Sequence, residues 1–226
     1  MLRFLWLIVV IFVAVVVGAF ALSGYVASGV EAQIRHQLAA DPPDALDVVV
    51  RADPLLLLAG RVAQVTVRSR QSKVTISGLA AESFEAEMRN VALDLRALVG
   101  RQEVRVADVG SGRARVVVHE DDLQAYIRQQ RNVDLELTLL DGRVRVRAPL
   151  FGNVVQAEGR LVAAGARVNL ELDTLRVGGF RVESAAVAGL AAGVNPVLDL
   201  SALPLSVTVV EVRAENHRLV ASAEIP

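Results

Sequence analysis

Apolar positions along this chain follow three different patterns, and each predicts a different kind of element. From Phe4 to Leu22, nineteen consecutive residues carry no charge and no strongly polar side chain. As a helix rising about 1.5 Å per residue, such a block spans about 28 Å, close to the hydrocarbon thickness of a bilayer. From Val26 the apolar residues fall four apart, at Val30, Ile34 and Leu38, with Glu31, Gln33, Arg35 and Gln37 between them, which predicts a helix with one apolar stripe. Asp41-Pro42-Pro43-Asp44 ends it, because proline cannot continue a helix and restricts the residue before it. From Leu46 the period falls to two: Leu46, Val48 and Val50 alternate with their neighbours, as do Val65 and Val67 later, and these segments read as strands. Between them, Asp53-Pro54 precedes four leucines and Gly60, a run too short to span a membrane. It reads as a buried helical turn or as an apolar lip beside a cavity mouth.

Further along, residues 73–77 read as a short strand ending at Gly78. Phe84, Met88, Val91, Leu95 and Leu98 are spaced like a helix stripe, yet Phe84-Ala86-Met88 and Val91-Leu93-Leu95 also alternate, with one phase slip that a β-bulge could absorb. Periodicity alone favours the helix. Strands are expected over 103–108 and 113–119, with Gly110-Ser111-Gly112 as a hairpin turn between them. His119-Glu120-Asp121-Asp122 has metal-ligating residue types, but the helical stripe of Leu123, Tyr126 and Ile127 follows at once. Acidic residues in a first helical turn stabilise the positive end of the helix dipole, so helix initiation is the expectation and no metal site is assigned.

Asp141-Gly142 is the strongest short hairpin signal in the chain. A two-residue turn there pairs Leu139 with Val144, Leu137 with Val146 and Leu135 with Ala148 on an apolar face. The opposite face carries Arg143, Arg145 and Arg147, partly matched by Glu136. A second hairpin across Ala164-Gly165 would pair Leu161 with Val168, Gly159 with Leu170 and Ala157 with Leu172. Small residues at Ala157 and Gly159 suit strong sheet curvature or the close approach of a helix or ligand. Residues 175–182 read as a strand running through Gly178-Gly179, 185–198 as a small-residue helix, and 205–214 with 219–225 as a closing hairpin.

Composition narrows the setting. Arg3 precedes the apolar block and the next basic residue is Arg35, so the weak positive-inside bias places everything after the block outside the cytoplasm. The block's length and its flanking Trp6 and Tyr25 favour an uncleaved anchor over a secretory signal processed near Ala19-Phe20-Ala21. Residues 1–24 are thus the anchor or signal segment and 25–226 the exported domain, on the cytoplasmic membrane facing the periplasm or cell envelope, or secreted if cleaved. The chain has no cysteine, which removes disulfides and acylated N-terminal thiols. Lys+Arg 24 nearly balance Asp+Glu 25 and are scattered, which disfavours nucleic acid. No G-x-S-x-G or recognisable metal spacing occurs, so an enzyme is disfavoured and no cofactor is implied.

The order of elements carries a resemblance. The helix of Val26 to Leu38, Asp53-Pro54 with its leucines and Gly60, Val65-Thr66-Val67, Glu120-Asp121-Asp122-Leu123, and Leu203-Pro204 before Val207 to Val212 resemble the LmeA-like envelope phospholipid-binding family. That family resembles the tubular lipid-binding (TULIP-like) superfamily. The resemblance implies an α+β fold in which a transmembrane helix precedes a strongly curved antiparallel sheet wrapped around one or more helices, with an apolar cleft for acyl chains. It also implies strand, not helix, over 84–98. The implied function is non-catalytic binding of phospholipid or a related lipid, in lipid transfer or envelope maintenance. The lipid-facing candidates are Leu135, Leu137, Leu139, Val144, Val146, Ala157, Gly159, Leu161, Val168 and Leu170. The rival reading is a structural or protein-interaction domain of the envelope with a fully packed interior.

Overall fold

A computed structural model describes residues 26, 28, 29, 31, 39, 40, 46–51, 53–69, 74–76, 78–94, 97, 106–131, 133–150, 153–181, 191–201 and 206–226. The apolar block 4–22 and most of the helix expected from Val26 to Leu38 lie outside these residues. Val26, Ser28, Gly29 and Glu31 are helical, and the Val26 side chain is fully buried.

In chain order the elements begin with β1 (Ala39–Ala40), β2 (Leu46–Arg51), helix α1 (Pro54–Leu58), β3 (Arg61–Ser69), β4 (Val74–Ile76), β5 (Leu79–Ala81) and β6 (Ser83–Leu93). Then come β7 (Val106–His119), helix α2 (Glu120–Arg131), β8 (Glu136–Leu140), β9 (Arg143–Leu150), β10 (Asn153–Ala164) and β11 (Arg167–Val177). The chain closes with β12 (Phe180–Arg181), β13 (Leu198–Asp199), β14 (Thr208–Glu215) and β15 (Arg218–Ile225). The fold is mainly antiparallel sheet with few helices, a β-rich α+β arrangement. One sheet has the order β14-β15-β7-β6-β3-β2, a second runs β12-β11-β10-β9-β8 with β13 also on β11, and a small third is β1-β4-β5. We call the first two the long sheet and the hairpin sheet.

Local chemistry accounts for the short helix. The Asp53 carboxylate accepts from the Leu55 N–H at 2.8 Å, Pro54 opens the helix, and Gly60 follows it at φ 72°. Leu57 is buried whereas Leu55 points outward, so the leucine run is a helical turn anchored by Leu57. Of the strand implied over 84–98, residues 84–93 are strand, whereas Ala97 is helical. Asn90 takes φ 52°, and Met88 and Val91, three apart, both meet the core, as do Val62 and Val65 on neighbouring β3. That break in phase is what made the segment look helical.

Two glycine pairs exchange roles relative to expectation. Gly110-Ser111-Gly112 lies inside continuous β7, not at a turn. A Cβ on Gly112 would stand 2.8 Å from the Glu87 carbonyl oxygen and one on Gly110 would stand 3.0 Å from Asn90 Cβ, so these glycines serve close strand approach. Conversely, Gly178 (φ 59°) and Gly179 (φ 90°) form a turn, and the expected strand through them is the β11–β12 hairpin. Of the helix expected over 185–198, residues 191–194 are helical and β13 follows; 185–190 lie outside the described residues.

The two large sheets meet at β14. Gly142 N–H donates to Ala214 O at 2.9 Å and Val209 N–H to Gly165 O at 2.7 Å, so the β8–β9 and β10–β11 turns both abut this strand. One apolar cluster runs from Val26 to Ile225 and includes both sheets and α2.

Candidate functional site

The candidate site is the inner face of the hairpin sheet. Its first hairpin has the expected register: Leu139 opposes Val144 and Leu137 opposes Val146, with Gly142 at φ 72° in the turn. The second is shifted. Gly165 takes φ 61° and the turn is Gly165-Ala166, so Leu161 opposes Leu170, Ala163 opposes Val168 and Gly159 opposes Leu172. Positive φ suits glycine at the first central turn position, which moves the turn one residue beyond Ala164-Gly165. A register break at Glu158/Gly159 then pairs Ala157 with Leu175 instead of Leu172.

With these registers the inner face resolves into rows that cross four strands. Leu139, Val144, Gly159 and Leu172 form one row, and Leu137, Val146, Ala157 and Leu175 form the next. Ala148, Val155 and Val177 continue toward the far end, where Phe180 of β12 extends the row. Leu135, Leu137, Leu139, Val144, Val146, Ala157, Val168 and Leu170 are each no more than 3% exposed; Gly159 is buried and Leu161 partly so. Nine of the ten sequence-predicted positions therefore fall on the strands of one sheet, and Leu135 immediately precedes β8. The sequence reading missed Val155, Leu175 and Val177. Their signal is the phase change on β11, where apolar positions pass from Val168, Leu170 and Leu172 to Leu175 and Val177.

Helix α2 closes this face from the side. Its first turn carries Glu120, Asp121 and Asp122, as expected for helix initiation, and the His119 ring Nδ1 accepts from the Asp121 N–H at 3.4 Å. Leu123 and Ile127 are buried. The Glu120 carboxylate accepts from Leu139 N–H at 2.9 Å and the Gln124 side chain accepts from Leu137 N–H at 3.1 Å, so α2 runs antiparallel along the β8 edge. Glu120 also meets the His217 ring at 2.9 Å, tying the β14–β15 turn to the same point. At its other end the Arg131 guanidinium donates to Pro196 O at 3.5 Å. The segment around Pro196 lines the opposite edge of the sheet, where the Asn195 amide brackets Leu170 by accepting from its N–H at 2.7 Å and donating to its carbonyl at 3.0 Å. Both edges of the hairpin sheet thus reach one helix. Burial raises the Tyr126 phenol above its ordinary range, with the nearby Asp199 charge adding to the effect, consistent with α2 packed inward near β13.

A groove of about 510 Å³ opens over the outer face at the far end of the sheet, lined there by Glu136, Arg147, Pro149 and Val154, with Leu135, Ala148 and Arg128 at its border. Arg128 pairs with Asp134 at 3.0 Å and Arg147 with Glu136 at 4.0 Å, all largely exposed to water. Such exposed pairs contribute little to stability and exchange readily with an incoming anion. On the outer face Arg145 is held by Glu158 at 3.0 Å, as expected for a solvated stripe.

Fold and face define the class, a β-rich α+β domain whose hairpin sheet turns a continuous apolar face inward. The chain belongs to the LmeA-like phospholipid-binding family, whose model matches residues 17–224. Searches of curated proteins and of solved structures give no match. Family membership supports lipid, and phospholipid in particular, as its partner.

Proposed function

We propose that this chain binds phospholipid without chemically altering it, at the outer side of the cytoplasmic membrane, where residues 4–22 anchor it, and that it serves lipid transfer or envelope maintenance. The acyl chains occupy the inner face of the hairpin sheet. The observation that carries this reading is the continuity of apolar rows across β8 to β11 in a chain of a phospholipid-binding family. A few hundred Å² of acyl chain removed from water contributes on the order of 5 to 10 kcal/mol before the costs of association.

Mass spectrometry of lipids retained by the full chain, purified in a lipid-free detergent, tests the reading. Phospholipid in fixed ratio to protein is expected after extended washing. The second reading, a structural or interaction domain with a packed interior, is favoured by the near-complete burial of the same side chains. It predicts that phospholipid washes away in proportion to detergent exchange, and that result would overturn the lipid-binding reading.

A further inference from the structure

At the end of the hairpin sheet away from β14, the ends of β9 and β11 and the starts of β10 and β12 come together. The twelve residues of β10 place this tip about 36 Å from the junction between the sheets. Two large apolar side chains stand in solvent there, Phe180 at 81% and Val154 at 56% exposure, with exposed Pro149 opposite Val154. Phe180 continues the inner row of Val177 and Val155, so the apolar interior emerges at this tip.

Beside it, Arg176 and Arg181 are direct cross-strand partners, both exposed, and among the described residues neither has a carboxylate partner. Like charges facing each other across two strands are destabilising. An anion shared between them would relieve the repulsion. Residues 143–156 and 174–182 contain no Asp or Glu, so the sequence of both neighbouring hairpin tips is free of acid. An aromatic side chain in water beside unpaired guanidinium groups matches the interface of an anionic membrane, where the ring enters the headgroup layer and the cations meet phosphates.

We infer that this tip docks on an anionic phospholipid bilayer, with Phe180 inserted and Arg176 and Arg181 on lipid phosphates. The inference rests on the lipid-binding reading and adds where lipid passes: a chain leaving the bilayer meets Phe180, then Val177 and Val155, without crossing polar surface.

The cysteine-free chain allows a single label. The full chain carrying Val154→Cys with an environment-sensitive nitrobenzoxadiazole probe is reconstituted in vesicles of phosphatidylcholine, with or without phosphatidylglycerol. Val210→Cys on β14, also exposed, is the control position. Emission at 154 should rise and shift to the blue as phosphatidylglycerol is added, and emission at 210 should not change. Arg176→Gln with Arg181→Gln should lower the docked-to-undocked ratio about thirtyfold, from about fivefold per arginine at an anionic surface. Added salt should act in the same direction, and Phe180→Ser should abolish the blue shift. Thermal unfolding verifies that these surface variants remain folded. A silent label at 154, equal responses at 154 and 210, or equal responses with and without phosphatidylglycerol would overturn the docking. Retained lipid, measured on the same preparations, separates the two readings. A silent tip on a lipid-loaded protein removes the docking alone, and a docking tip on a lipid-free protein removes the lipid-binding reading alone.

Discussion

Gly159 and Ala157 stand two residues apart on one strand and do different things. A Cβ on Gly159 would lie 2.0 Å from the Glu171 carbonyl oxygen and 2.9 Å from Leu172 Cα, so β11 occupies the space a side chain would need. Gly159→Ala must push two backbones apart and is expected to cost about 3 kcal/mol or more in denaturant unfolding, since backbone gives way less easily than a side chain. That position reports on the bulge at Glu158/Gly159, not on lipid. Ala157 sits in the row of Leu137, Val146 and Leu175 and already carries a Cβ. Ala157→Leu therefore adds volume to the apolar interior, and it is expected to reduce retained phospholipid while the unfolding midpoint changes little. If the face is a packed core, the same change costs about 1 to 3 kcal/mol through overpacking and leaves lipid content untouched. Measuring both quantities on one preparation decides between these outcomes.

At the scale of elements, the hairpin sheet is defined by how its edges are covered. An open edge strand offers unpaired N–H and C=O groups to any other strand. Here α2 covers β8: Glu120 and Gln124 lie one helical turn apart, about 6 Å, and the N–H groups of Leu139 and Leu137 lie two strand residues apart, about 7 Å, so the two ladders match. On the other side, β12, the Asn195 amide and β13 cover β11 in succession. Gln124→Ala should cost about 1 to 2 kcal/mol and Glu120→Ala about 2 to 3 kcal/mol, the larger figure reflecting an ionised acceptor that also holds His217. Hydrogen exchange should accelerate at the Leu137 and Leu139 amides in the respective variants. Unchanged protection there would mean that α2 is not what closes this edge.

For the whole molecule, the consequential question is the side of the membrane on which the domain stands. The proposed function takes Arg3 before an uncharged block, with no further basic residue until Arg35, to leave the N-terminus in the cytoplasm. A C-terminal alkaline phosphatase fusion should be active and a C-terminal green fluorescent protein fusion exported by the same route should be dark. The reverse pattern would place the domain in the cytoplasm and remove the envelope role. Among the described residues no helix is long and apolar enough to cross a membrane.

Much of this molecule is determined by local sequence. Alternation defines β2, β3 and β9, Asp141-Gly142 sets the register of the first hairpin, and the acidic run before Leu123 opens α2. Each depends on residues within a few positions of one another, where steric and dipolar preferences act without reference to the rest of the chain. The tertiary structure decided the remainder. Glycine serves both a turn and a close approach, and only neighbouring strands distinguish Gly110 and Gly112 within β7 from Gly178 and Gly179 at a hairpin. The break at Asn90 mimics a helix because two strands change phase together. The candidate face was legible as apolar alternation, and nine of the ten positions share a sheet, Leu135 standing just before β8. That Leu175 and not Leu172 lies beside Ala157 depends on the register break at Glu158/Gly159. No local period encodes that offset, because a bulge is fixed by the strands on either side of it.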